Sequence, residues 1–298
     1  MRKPSNFLAI VSAITAIISS CIGVFYSFGG KPRIVDNIYG QAVTLFGDGI
    51  YANDSIMKAG TNKGTDIGII IIGIILLFTV LILKNKPYAS FLQCGLLSII
   101  LYATTCLIMG VTFNRLFLLY VVQFGCAFFA FIFTMIYLLN NKSYESGIYN
   151  KKLKGTAIFL IISGCSVLQW LAFIIPSVIT GKPMEIIDIY TTEPTFVIDL
   201  AIILPATFYC GIMLIRKKTV AYQLAPVLLI LLTGVAIIVI SQTIVQATLG
   251  IVLNIGELLG LVILFVILGA FALGLNIKLL KHTNKSDIQS GIPLEQAP

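Results

Sequence analysis

Residues 220–248 read VAYQLAPVLLILLTGVAIIVISQTIVQAT, twenty-nine positions without a charged side chain. A helix needs about 20 mostly apolar residues to cross a hydrocarbon core of roughly 30 Å. Soluble cores rarely demand an uncharged run of this length, so the stretch reads as a membrane span. Seven further runs share the pattern: Phe7–Phe28, Asp66–Leu83, Ser90–Val111, Arg115–Leu139, Gly155–Thr180, Thr195–Ile215 and Leu253–Leu280. They are continuous rather than alternating, which favours helices over barrel strands. The expected fold is all-α: a polytopic bundle of eight transmembrane helices.

Composition agrees with this reading. Of the 298 residues, 58% are hydrophobic and 11% charged, and the mean hydropathy is +1.01. A soluble domain carries about 25% charged residues. A soluble enzyme, a disordered chain and a nucleic-acid module are all excluded. The formal charge of +8 has a different meaning here. With the N-terminus inside, fourteen of the twenty Lys and Arg residues fall on the cytoplasmic side. Every inner segment is then basic, as the positive-inside rule requires. The expectation is a multi-pass protein of the cell membrane with both termini cytoplasmic. Nine of the twelve acids fall on the outer side, leaving Glu145, Asp287 and Glu295 inside. The first run resembles a signal peptide at its basic start, but its apolar residues continue through Phe28, so an uncleaved helix is expected.

The connections divide unequally. An outer loop of 37 residues, Gly29 to Thr65, is rich in Gly, Asp, Asn and Tyr. A second outer loop, Gly181 to Pro194, carries Glu185, Asp188 and Glu193. Residues 1–281 form a single transmembrane domain, and residues 282–298 are expected to be a flexible cytoplasmic tail.

Much recognisable chemistry is absent. The six cysteines all lie within spans and form no C-x-x-C pair, so they read as small hydrophobes. The sole histidine is His282, which removes bis-His haem, His-based zinc sites and Ser–His catalysis within the membrane. No phosphate-binding glycine loop occurs. No cofactor and no metal is expected, and no residue is assigned a catalytic role.

Charges at membrane depth are costly, so their positions carry information. Asp199 and Glu257 each stand fifth in their spans, about 6 Å below the outer helix end. Asp66 and Arg115 open their spans on the same side. Gln242 and Gln246, four apart, share a helix face. Trp170 lies deeper in span five and Tyr102 in the outer half of span three. These positions suggest an outward-facing polar cavity containing Asp66, Arg115, Asp199, Glu257, Gln242 and Gln246. Arg115 is the natural partner for Asp199 or Glu257. The first outer loop, with Asp48, Tyr51 and Asp54, would form its lid. Asp54 is also a candidate N-cap for a short helix beginning near Ser55.

Several of these residues belong to a wider likeness. Gly49-Ile50-Tyr51-x-x-Asp54-Ser55 with Gly64-Thr65-Asp66, the run Phe113-Asn114-Arg115 to Tyr120, Tyr190-Thr191-Thr192, Asp199, Pro205-Ala206 and Tyr222-x-Leu224-Ala225-Pro226 all contribute. Together they resemble a family of multi-pass prokaryotic integral membrane proteins of no known activity. The resemblance implies a fold of about eight spans and no substrate.

The expected function is binding or moving a small solute or ion at the outward-facing site, in contact with the lipid bilayer and without nucleic acid. Two alternatives are a non-catalytic accessory or scaffold protein and a membrane-embedded enzyme acting on lipid-linked substrates at the outer leaflet.

Overall fold

The computed structural model describes residues 2–141 and 153–290. Eight of its helices are long and apolar enough to cross a membrane. They are α1 (Lys3–Phe25), α2 (Ile56–Leu81), α3 (Ala89–Gly110), α4 (Phe117–Asn140), α5 (Lys154–Thr180), α6 (Pro194–Ile215), α7 (Thr219–Thr248) and α8 (Ile255–Leu280). The helix of α8 runs on to Ser290, into the segment expected to be a flexible tail. The basic residues Lys142, Lys151 and Lys152 and the tail beyond Ser290 lie outside the described residues.

The second span differs from expectation. Helix α2 starts ten residues before Asp66, so Asp66 lies about 15 Å along it rather than at its mouth. Its first two turns are polar enough (Lys58, Thr61, Asn62, Lys63) to look like loop in a hydropathy reading. The N-cap is Ser55, whose Oγ accepts from Lys58 N, and not Asp54.

Helix α7 is the most buried span and α8 the least. Although α8 is equally apolar, α7 owes its burial to its central place in the bundle. It packs against α2, α3, α6 and α8. Helices α1 and α4 close the other side of α2 and α3. Small residues set the spacing: Ala9, Ala13 and Ala16 of α1 are fully buried, letting backbones approach closely as lipid-embedded helices require. Polar side chains clasp the same helices. Ser19 Oγ donates to Gln123 Oε1 at 2.9 Å, and Gln123 Nε2 donates to Thr104 Oγ1 at 2.6 Å, joining α1, α4 and α3. Helices α5 and α6 form a separate pair that touches the rest mainly through α7. Large apolar side chains such as Leu118, Ile179 and Phe271 point outward, a surface suited to lipid.

The long connection from α1 to α2 folds into an antiparallel hairpin, β1 (Arg33–Asp36) with β2 (Ala42–Leu45), in the register Arg33↔Leu45. Its base is tied by Asp48, which accepts from Ser27 Oγ at 2.6 Å, Phe28 N at 2.9 Å and Gly30 N at 3.2 Å. These donors hold the Asp48 carboxyl well below its usual range, the Ser27 hydroxyl most of all. Gly47 sits at φ +83°, where a Cβ would fall 1.9 Å from the Lys31 carbonyl oxygen. Only glycine fits there.

Candidate functional site

A cavity of about 520 Å³ lies between α2, α3, α5, α6, α7 and α8, towards the end of the bundle that carries the hairpin. Along α7 its walls run from Gln246 to Leu231, so it reaches some 25 Å below the end of that helix. The deep part is apolar, with Ile203, Leu231, Leu232, Val235 and Phe265.

Three helices depart from α geometry beside this space. Helix α5 tightens into a 3₁₀ turn at Val167–Trp170. Helix α6 widens into a π turn at Asp199–Ile203, where Leu204 N bonds to Asp199 O instead of to the carbonyl four residues back. Pro205, which has no N–H to give, follows at once. Helix α8 has a second π turn at Leu258–Ile263. Such turns recur at functional sites because they re-aim side chains without breaking the helix.

Asp199 is the central polar group. It is 5% exposed. Trp170 Nε1 donates to its Oδ2 at 2.8 Å and Tyr102 Oη to its Oδ1 at 3.1 Å. The Trp170 ring stacks on Phe196 with centroids 4.6 Å apart and lies 6.2 Å from Phe265, which builds an aromatic wall. Glu257 also borders the cavity, partly exposed; it closes a capping box with Asn254 at the start of α8. Gln242 Nε2 donates to Thr65 Oγ1 at 2.8 Å, and Gln246 Nε2 to Thr61 Oγ1 at 2.9 Å. Both therefore join α7 to α2 while facing the same space.

Four of the six residues expected in the site thus converge: Asp199, Glu257, Gln242 and Gln246. Arg115 does not. It is exposed at the start of the α4 segment and pairs with neither Asp199 nor Glu257. Its place on the exposed turn between α3 and α4 costs no buried charge, so it needs no carboxylate. Asp66 does not reach the cavity either. It is buried on another side of α2, where Tyr51 Oη donates to its Oδ2 at 2.7 Å.

The lid also differs. Asp48 and Tyr51 are occupied at the hairpin base and at Asp66, away from the cavity. The cavity is covered instead by the shorter loop before α6, through Ile186, Asp188, Tyr190 and Glu193. Asp54 does not line the cavity and, of its cover, touches only Tyr190. Its Oδ1 accepts from Tyr190 Oη at 2.7 Å and from Thr112 N at 2.9 Å, while Oδ2 has no partner. Burial pushes the Asp54 carboxyl up to about 6, against the opposing pull of the Thr112 N–H and the Tyr190 hydroxyl. Burial likewise raises the Tyr190 hydroxyl above its usual value. A further bond, Asn37 Nδ2 to the Asp188 carbonyl at 2.6 Å, ties the hairpin to the covering loop.

Sequence reading missed Lys58 and Glu193, an ion pair of 2.7 Å at the rim, and Asn62, a buried cavity residue whose Nδ2 has no partner. All three were assigned to loops or loop edges. The usable signal for Lys58 and Asn62 was the spacing Lys58, Thr61, Asn62, Thr65, a polar helix face just upstream of the apolar run.

No protein-family model, no curated protein and no solved structure matches this chain.

Proposed function

We propose that this protein resides in the cell membrane with both termini cytoplasmic, and binds a small, partly apolar solute in a cavity open to the outside. The observation that carries the reading is the convergence of Asp199, Glu257, Gln242 and Gln246, from three helices, on one cavity of about 520 Å³. A pocket of this size with an apolar body and a few polar groups is the usual form of a small-molecule site. The sidedness rests on the excess of Lys and Arg at the end opposite the hairpin. The cavity stops at Leu231, with twelve residues of α7 still below it. That favours capture from the outer side over a continuous path. A pure scaffold role gives no reason for Asn62 and Asp199 to border an open space, and the Cys106 thiol and Ser163 hydroxyl that line it bond to Thr195 Oγ1 and the Phe159 carbonyl rather than to a general base.

Single cysteines test the reading. In a background with Cys106 changed to Ser, Thr243→Cys faces the cavity, and Ile38→Cys and Lys86→Cys mark the two ends. A membrane-impermeant cationic methanethiosulfonate applied outside should modify positions 243 and 38 and spare 86. Protection of position 243 would remove the open cavity, and labelling of 86 instead of 38 would invert the topology.

A further inference from the structure

Resting on that reading, we infer that the cavity selects an organic cation: a molecule with an apolar, ring-bearing body and one positive charge. Among the described residues five charged side chains line the space, namely Lys58, Asp188, Glu193, Asp199 and Glu257. The single base is already neutralised, because Lys58 Nζ lies 2.7 Å from Glu193 Oε2. Three carboxylates remain without a cationic partner in the cavity.

Asp199 is the most telling of them. It is almost fully buried, yet its two hydrogen bonds come from neutral donors, the Trp170 indole and the Tyr102 hydroxyl. Among the described residues no basic side chain pairs with it. Those donors orient a carboxylate without supplying the positive charge that a buried anion demands. A cationic ligand supplies it. Asn62 adds a second, independent sign of a ligand: it is 6% exposed, borders the cavity, and has an amide nitrogen without a partner, a donor that calls for an acceptor atom on the apolar body of the ligand and not for its charge.

The lining also discriminates against other ligand classes. An anion or a carboxylate-bearing solute meets a net acidic wall and no free base. A bare metal ion needs several oxygen ligands drawn together, and among the described residues no three His, Cys, Asp or Glu side chains group closely enough to hold one. The walls are mostly apolar, and the Trp170, Phe196 and Phe265 rings stand beside Asp199. Aromatic rings next to a carboxylate attract organic cations both by burial and through the ring quadrupole.

Trp170 makes the test direct, because it is the only tryptophan in the chain and it touches Asp199. The full-length protein in non-ionic detergent is titrated with tetraphenylphosphonium and, separately, with tetraphenylborate, which has the same shape and the opposite charge. Saturable quenching of Trp170 emission by the phosphonium is expected, with the borate roughly tenfold weaker or worse. Asp199→Asn and Glu257→Gln should each weaken phosphonium binding. The second variant guards against misfolding of the first, since glutamine still completes the α8 capping box. Equal or tighter binding of the borate overturns the inference. So does phosphonium binding that neither variant alters. If neither ion binds while position 243 labels from outside, the choice of cation is wrong and the open cavity stands. If position 243 is also protected, both readings fall.

Discussion

The Tyr51 hydroxyl donates to Asp66 Oδ2 across 2.7 Å, with both residues buried. This single bond fixes the end of the hairpin loop to the middle of α2, beside Gly23 of α1. A Cβ on Gly23 would fall 1.9 Å from the same Asp66 oxygen, so α1 leaves just enough room for the carboxyl group. The role is structural, and the variants should show it. Tyr51→Phe strips a buried carboxyl of its donor and should cost about 1–3 kcal/mol. Asp66→Asn keeps an acceptor for Tyr51 and should cost less. Thermal midpoints in detergent give the comparison. Neither change should alter labelling of Thr243→Cys. A Tyr51→Phe protein as stable as the wild type would contradict this assignment.

Asp54 gives the protein a dependence on pH whose sign can be worked out. Its carboxyl is raised by burial from 3.8 to about 6. A raised acid favours the protonated form in the folded state, and a proton suits Oδ2, the oxygen with no donor. The stabilisation is complete below 3.8 and is lost as pH rises through about 6, with a span of about 3 kcal/mol. Asp48, whose value is lowered, acts in the opposite sense. The useful quantity is therefore the gap between wild type and Asp54→Asn. The Asn variant should gain on the wild type as the pH goes from 4 to 7. A gap that stays constant would mean that Asp54 is ionised throughout.

These two aspartates also show what the sequence could and could not say. Eight spans were legible because lipid-facing helices need long apolar runs, and nothing else in the chain competes with that signal. Asp199, Glu257, Gln242 and Gln246 were legible by depth: polar groups near one end of a span must face each other or water. Depth does not fix rotation about the bundle axis, however. Asp66 was assigned to the cavity on depth alone, whereas its face of α2 turns to Tyr51 and α1. Arg115 was paired by charge, without allowance for an exposed position at which a cation is already solvated. The covering loop was misjudged by length. The hairpin has more residues, but it folds on itself and leaves the cover to Tyr190 and its neighbours.

Lys58 and Glu193 connect the first turn of α2 to the N-cap of α6 across 2.7 Å. A lysine near a helix N-terminus opposes the helix dipole, so Lys58 depends on its partner more than a mid-helix lysine would. Glu193 has two tasks, since its other oxygen accepts from Thr195 N at 3.4 Å. Glu193→Gln should retain the cap and lose the pair. A double-mutant cycle with Lys58→Met and Glu193→Gln should give a coupling of about 1 kcal/mol or more, above the level of exposed pairs because the side chains are only 19% and 13% exposed. The coupling should shrink little at high salt. A value near zero would show that the pair does not hold the cavity rim together.

Glycine positions offer a contrast that the sequence could not resolve. Gly64 of α2 faces α7 so closely that a Cβ would lie 2.3 Å from Gln242 Cα and 2.8 Å from the Ser241 carbonyl oxygen. Backbone cannot retreat as a side chain can, so Gly64→Ala must push α2 away from α7. The cost should be about 1–3 kcal/mol or more. The same displacement would separate Thr65 from Gln242, so the cavity wall should loosen with the helix contact. Gly125 of α4, by contrast, has nothing within 4 Å of an added Cβ. Gly125→Ala removes helix-weakening flexibility without a clash and should be neutral or stabilising by up to about 1 kcal/mol. Both variants are read by thermal midpoint, with Thr243→Cys labelling as the report on the cavity. If the two alanines behave alike, the close α2–α7 crossing at Gly64 is wrong, and with it the wall that carries Gln242 and Gln246.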